Sequence, residues 1–233
     1  MKFQDKLIKG SFKKRYKRFF ADVELDNGEI VVSHCPNTGS MKGLLDFDNA
    51  YISHVDDPKR KLKYTLQFIE KGNVRVGVNT HLTNHVAIEG VKEGLIEELK
   101  EFKELKPEVK YGSQNSRIDI LLTEHDDTLH YVEVKNTTLA EGTTARFPDA
   151  VTTRGQKHLQ ELTEMVEAGH KATMLYVVNR NDCKTFSPAT DIDPEYTKLL
   201  KIAVNAGVQV LAYSCILNDE EIIIDKKINV IID

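Results

Sequence analysis

The sequence predicts an α+β chain, with a small N-terminal β-barrel followed by a mixed sheet flanked by helices. Three observations predict it. The first eighty residues break into short alternating runs separated by turn residues, as in Leu62, Tyr64, Leu66 and Phe68 against Lys61, Lys63, Thr65 and Gln67. Between Ala172 and Tyr213 a strand, a capped helix and a second strand follow at crossover spacing, which places the two strands parallel. A hairpin pattern spans residues 119–135, and the candidate chemistry sits on it.

In the first part, Asp26-Asn27-Gly28 is a hairpin turn between strands at 18–25 and 29–35. Cys35-Pro36-Asn37-Thr38-Gly39-Ser40 reads as a loop, and further strands fall at 50–54, 62–68 and 74–78. Five short strands suggest an OB-like barrel, an architecture that often binds oligonucleotides. From Lys9 to Arg18 six residues are basic and none acidic, with Tyr16, Phe19 and Phe20 among and beside them. That mixture fits backbone tracking with base stacking. The plainer reading, which composition favours, is a solvated basic rim over Phe19 and Phe20 in the core.

The character changes near Thr83, which sets expected domains of 1–82 and 83–233. Residues 84–93 form a short helix ended by Gly94, and Leu95, Leu99, Phe102 and Leu105 recur at helical spacing until Pro107. Residues 136–153 carry no periodicity and read as a long loop. A helix over 156–168 ends at Gly169, and Asp193-Pro194-Glu195 caps another that ends at Gly207.

Within 119–135, Ile118, Ile120 and Leu122 alternate with Asp119 and Leu121, and residues 129–135 alternate likewise around a turn at His125-Asp126-Asp127. With the turn centred on Asp126, Asp119 faces Glu133 across an antiparallel pair, about 4.5–5.5 Å apart at Cβ. Lys135 points to the same side, while Val132 and Val134 point into a core. Facing carboxylates repel unless a hard cation such as Mg²⁺ lies between them, and a neighbouring lysine can serve water or phosphate there. An exposed charged sheet face would show the same spacing.

The 233 residues are 40% hydrophobic and 29% charged, ordinary for a globular protein, with a net charge of −4. No apolar run spans a membrane and no signal peptide opens the chain, so a cytoplasmic protein without a membrane partner is expected. Cys35, Cys183 and Cys215 have neither disulfide-framework nor zinc-ligand spacing. The acidic balance does not advertise a nucleic-acid binder, although local basic clusters can serve one.

Asp119 followed by Glu133-Val134-Lys135, on two strands ahead of a helix, resembles the PD-(D/E)XK nuclease core. The surrounding segments are more specific. Arg15-Tyr16-Lys17-Arg18-Phe19, Cys35 to Met41, Ser116-Arg117-Ile118-Asp119, Phe147-Pro148-Asp149-Ala150-Val151-Thr152 and Arg154-Gly155-Gln156-Lys157-His158-Leu159 resemble the sugar fermentation stimulation protein A family (SfsA). That resemblance implies an OB-like domain followed by a restriction-endonuclease-like domain. It also implies Asp119, Glu133 and the Val134 carbonyl as ligands of Mg²⁺ or Mn²⁺, with Lys135 as the catalytic lysine.

The expected activity is divalent-metal-dependent hydrolysis of DNA or RNA, with Lys14, Arg15, Lys17 and Arg18 holding the strand. Arg117, Gln156 and Lys157 are further phosphate contacts, though a solvated first turn accounts for the last two as well. Glu89 is the acid a first helix could add, and His158 a general base unless it is a surface histidine. The alternatives are a non-catalytic DNA-binding regulator of sugar metabolism genes and a binder of another phosphate compound. Oligomeric state stays open.

Overall fold

The computed structural model describes residues 1–37, 39–41, 43–113 and 116–232. Thr38, within the Cys35–Met41 segment singled out above, lies outside them.

Six strands make the N-terminal unit: β1 (Ile8–Tyr16), β2 (Phe20–Glu24), β3 (Ile30–His34), β4 (Asn49–His54), β5 (Tyr64–Lys71) and β6 (Val74–Gly77). The first five close a ring, because β3 pairs with β2 on one side and with β5, in parallel, on the other. β6 hangs on the outer edge of β5. Five strands in the ring is the expected number, but their identity differs. β1 belongs to it and the run at 74–78 does not. Lys9, Lys13, Lys14 and Arg15 mask the alternation of β1, whose inward positions are Gly10 and Phe12. Gly10 is required there, since a Cβ would lie 2.6 Å from Val23 Cγ1 and from the Glu24 carbonyl oxygen. Phe12, Val23, Ile52, Leu66 and Ile69 fill the barrel, each aliphatic side chain contributing roughly 1.5–3 kcal/mol by leaving water.

The second unit opens with α1 (Thr83–Lys92) and continues through β7 (Glu104–Tyr111), β8 (Ser116–Thr123), β9 (Leu129–Thr137), β10 (Leu139–Glu141) and β11 (Thr144–Phe147). Then come α2 (Thr153–Glu167), β12 (Lys171–Val178), β13 (Thr185–Pro188), α3 (Pro194–Ala206), β14 (Gln209–Leu217), β15 (Ile222–Lys227) and β16 (Asn229–Val230). The main sheet has the order β15-β14-β12-β9-β8-β7, with β9, β12 and β14 parallel and the remaining pairs antiparallel. Leu159 and Leu162 of α2 and Tyr196 and Leu200 of α3 bury one face against Tyr131, Met174 and Tyr176. On the other face Val132, Val134, Leu175 and Val177 pack with Val86 and Val91 of α1 and with Tyr51 and Phe68 of the barrel. The sheet is therefore sandwiched, and the barrel forms part of its cover.

Two expectations fail here. The helical spacing of Leu95, Leu99, Phe102 and Leu105 yields a short 3₁₀ turn (Glu97–Leu99) and then the edge strand β7. Pairing with β8 overrides a weak local preference, and Pro107 is tolerated because an edge strand has only one neighbour to bond. The stretch 136–153 is not a loop throughout. β10 and β11 form a hairpin inside it, and β11 joins β13 and β16 in a second, four-stranded sheet. That pairing is supplied by partners some forty residues on, as in Thr144 opposite Thr185, so local periodicity could not reveal it. The capped helices behave as expected. Asp193 Oδ1 accepts from the Tyr196 N–H at 2.9 Å, and Gly207 turns left-handed at φ 112°.

No helix among the described residues is long and apolar enough to cross a membrane.

Candidate functional site

The register of β8 against β9 runs from Thr123 opposite Leu129 to Ile120 opposite Val132, one residue short of Asp119 and Glu133. The turn at Asp126 with left-handed Asp127 (φ 71°) fixes it. Asp119 Oδ2 accepts the Val134 N–H at 2.7 Å, and Oδ1 accepts from Asn84 Nδ2 of α1 at 2.8 Å. Burial, and then the charge of Glu133, push the Asp119 carboxyl up to about 6.

Glu133 is almost fully buried, at 1% exposure. Its Oε1 accepts from Lys135 Nζ at 2.5 Å and also meets His158 Nδ1 of α2. Burial alone would raise its pKa; the Lys135 charge and the His158 hydrogen bond outweigh it and hold the carboxylate below its usual range. Oε2 is buried and has no hydrogen-bond partner among the described residues. The same is true of Tyr111 Oη at the end of β7, which burial and the charges of Glu133, Glu161 and Asp119 keep protonated. Lys135 Nζ stands 3.0 Å from His158 Nδ1, and Arg154 Nε donates to His158 Nε2 at 3.4 Å. Glu133 and Lys135 thus meet under α2, while Asp119 is held by the β9 backbone and by α1.

The other sequence-picked residues disperse. Arg117, Gln156 and Lys157 line a cleft of about 650 Å³ beside α2, together with Arg154, His158 and Glu108. Gln156 spends its amide on the Asp193 carboxylate at 2.9 and 3.1 Å. On the barrel, Lys14 pairs with Asp22 at 3.4 Å, and Arg15 donates to the Asn37 and Gly39 carbonyls at 2.8 and 3.0 Å. Lys17 and Arg18 form the exposed β1–β2 turn. Glu89 pairs with the N-terminal amine instead of reaching the hairpin.

Two neighbours of the pair, Asn84 and Arg154, escaped the sequence. His158, weighed above as a general base or a surface histidine, is 4% exposed. Asn84, in the first turn of α1, takes the place expected of Glu89, and Arg154 carried no signal of its own. Among the described residues no group of three or more His, Cys, Asp or Glu side chains is placed to hold a metal.

The model of the sugar fermentation stimulation protein RE domain matches residues 81–221, and that of the SfsA N-terminal OB domain matches residues 14–78. The chain belongs to the sugar fermentation stimulation protein family. Relatives named sugar fermentation stimulation protein homolog are 50% identical in Pelagibacter ubique, covering 99% of both chains, and 48% identical in Geotalea daltonii, covering 97% of both. The structure of Pyrococcus furiosus SfsA in complex with Ca²⁺ superposes with a TM-score of 0.87 at 27% identity, covering 100% of this chain and 98% of that one. An OB barrel followed by a mixed-sheet α/β domain is thus the family architecture. The SfsA segments quoted above also meet in space. Ser40 Oγ donates to Asp149 Oδ2 at 3.2 Å, and Arg15 holds the loop that carries Ser40.

Proposed function

We propose that this SfsA protein is a divalent-metal-dependent phosphodiesterase acting on DNA or RNA. The observation that carries the reading is Glu133 Oε2, a buried carboxylate oxygen without a hydrogen bond, beside a second carboxylate and a lysine. Leaving such an atom unsatisfied costs stability, so its persistence points to a ligand. Hard oxygen donors suit Mg²⁺ or Mn²⁺, and the Ca²⁺ complex of the Pyrococcus furiosus relative is in keeping with a hard cation. Asp119, Glu133 and the Val134 carbonyl would hold it. Once bound, the cation would offset the two acids and act as a Lewis acid toward a phosphoryl oxygen.

The chain's own groups have separable roles. Val134 N–H and Asn84 fix the Asp119 carboxylate from two directions. His158 and Lys135 both engage Glu133 Oε1 and leave Oε2 for the cation. Lys135 Nζ orients the attacking water and offsets charge that develops on the phosphoryl oxygens. The Tyr111 hydroxyl keeps its proton and can donate into the same space. Arg117 and Lys157, with Lys17 and Arg18 on the barrel, supply positive charge for a polyanion.

The test is incubation with single- and double-stranded DNA and RNA in Mg²⁺, Mn²⁺ or chelator, beside Asp119→Ala. Metal-dependent cleavage that disappears in Asp119→Ala is the expected result. Nucleic-acid binding without cleavage in any metal, unchanged by the substitution, would favour a non-catalytic DNA-binding regulator and sink the enzyme.

A further inference from the structure

We propose that the substrate is a single strand that crosses the first turn of α2, its phosphates held by Arg117 and Arg154, and reaches Phe19 at the tip of the β1–β2 hairpin. For its ligand class this rests on the phosphodiesterase reading above; the path is argued from the surface alone.

The positive charge that is available lies in the α2 cleft. Arg117 and Arg154 both line it, and among the described residues neither is within 4 Å of a carboxylate. Arg117 Nη1 gives one hydrogen bond, to the Glu108 carbonyl at 3.1 Å, and Arg154 Nε gives one to His158. Both guanidinium forks are otherwise open to a phosphate. The β1 cations are committed: Lys9 to Glu70, Lys13 to Glu24, Lys14 to Asp22 and Arg15 to loop carbonyls. Glu108 is the acid in the cleft wall, and it favours a path over the α2 side. Arg154 and His158, in the cleft wall, are linked by hydrogen bonds to Lys135 and Glu133 behind it.

The hairpin tip supplies the second contact. Lys17 and Arg18 both hold left-handed backbone, at φ 48° and 64°, a conformation costing of order 1 kcal/mol or more for each residue. That turn lets Tyr16 and Phe20 stack at 5.4 Å while Phe19 is left 45% exposed between basic neighbours. A large exposed ring flanked by cations is what stacks an unpaired base, and a paired base offers it no face. The tip and the cleft are joined by short links. Arg15 binds the Gly39 carbonyl, Gly39 packs on the Asp149 carboxylate, and Asp149 precedes Thr153 by four residues, roughly 13 Å of extended chain.

The experiment is fluorescence anisotropy in chelator, with labelled single-stranded DNA, single-stranded RNA and duplex DNA over a salt series. Wild type is expected to bind single strands about 10-fold or more tighter than duplex, with the DNA and RNA arms showing which strand is preferred. Arg117→Ala and Arg154→Ala should each weaken single-strand binding about 10-fold and make the slope of log affinity against log salt shallower by about 0.7 for each phosphate no longer neutralised. Phe19→Ala should weaken it about 10-fold with the salt slope intact. Lys13→Ala/Lys14→Ala should bind as wild type. Duplex bound as tightly as single strand, or arginine variants that bind as wild type, overturns the path. Because the assay needs no metal, the two readings fail separately. Metal-dependent cleavage with unaltered binding in Arg117→Ala overturns the path alone. Arginine-dependent single-strand binding without cleavage in any metal supports the path and removes the phosphodiesterase.

Discussion

His158 Nδ1 and Glu133 Oε1 are in direct contact beneath α2, and Lys135 Nζ reaches the same oxygen at 2.5 Å. One carboxylate oxygen is thereby fully engaged while its twin is left buried and bare. His158→Ala should release Glu133 Oε1, lower metal affinity or cleavage about 10–100-fold, and cost roughly 1–3 kcal/mol of stability. Calorimetric titration with Mn²⁺ beside a cleavage assay measures both. Wild-type values in each would show that the contact does not position Glu133.

The pH dependence of stability carries a sign that Asp119 decides. Its carboxyl is raised to about 6, first by burial and then by Glu133. A raised acid favours the folded state when protonated. Its contribution is fully present below about pH 4 and is lost as pH rises through about 6, amounting to about 3 kcal/mol at most. In chelator, the difference in melting temperature between wild type and Asp119→Ala should therefore be largest near pH 4 and narrow toward pH 7. At pH 7, Mg²⁺, Mn²⁺ or Ca²⁺ should raise the wild-type midpoint and leave Asp119→Ala unmoved. A gap that widens with pH in chelator contradicts the assignment.

Asn84 and Glu89 make a paired prediction about α1. Asn84 donates to Asp119 Oδ1, whereas Glu89 meets the N-terminal amine. Asn84→Ala should cut cleavage about 10-fold, as loss of a ligand-orienting hydrogen bond does, and Glu89→Ala should cleave as wild type. Steady-state rates on one labelled oligonucleotide compare them, and the reverse order would reassign the helix.

Arg75 ties the two units together. Its Nε donates to the buried Glu70 carboxylate at 2.7 Å and its Nη1 to the Leu217 carbonyl at 2.9 Å. Burial opposes the charge on Glu70, but hydrogen bonds from Lys9 and Arg75 hold its carboxyl below the usual range. Arg75→Ala should cost roughly 2 kcal/mol, less than a fully buried pair would because Arg75 is partly exposed. Urea unfolding reads this, and a midpoint within error of wild type would mean that the bridge is dispensable.

What could be read without coordinates was local. The Asp126 turn, the alternation on either side of it, the Asp193 cap and the left-handed Gly207 each depend on a few adjacent residues, and each stands where expected. The misread segments share another cause. β1 hides its alternation under lysines, β7 follows β8 despite helical spacing, and β11 is a strand because β13 lies beside it. In all three a distant partner, not the local pattern, sets the conformation.

The same division runs through the candidate site. Strand period and turn position bring Asp119 to the strand of Glu133 and Lys135, where it accepts the Val134 N–H and feels the Glu133 charge. Only the tertiary structure decided what closes over them. The azimuth of α2 depends on which residues pack against Tyr176 and Met174, and that packing turns His158 inward to Glu133. The seat of α1 on the opposite face likewise presents Asn84, and not Glu89, to Asp119. Helix orientation is a property of the whole core, so no single stretch of the chain encodes it.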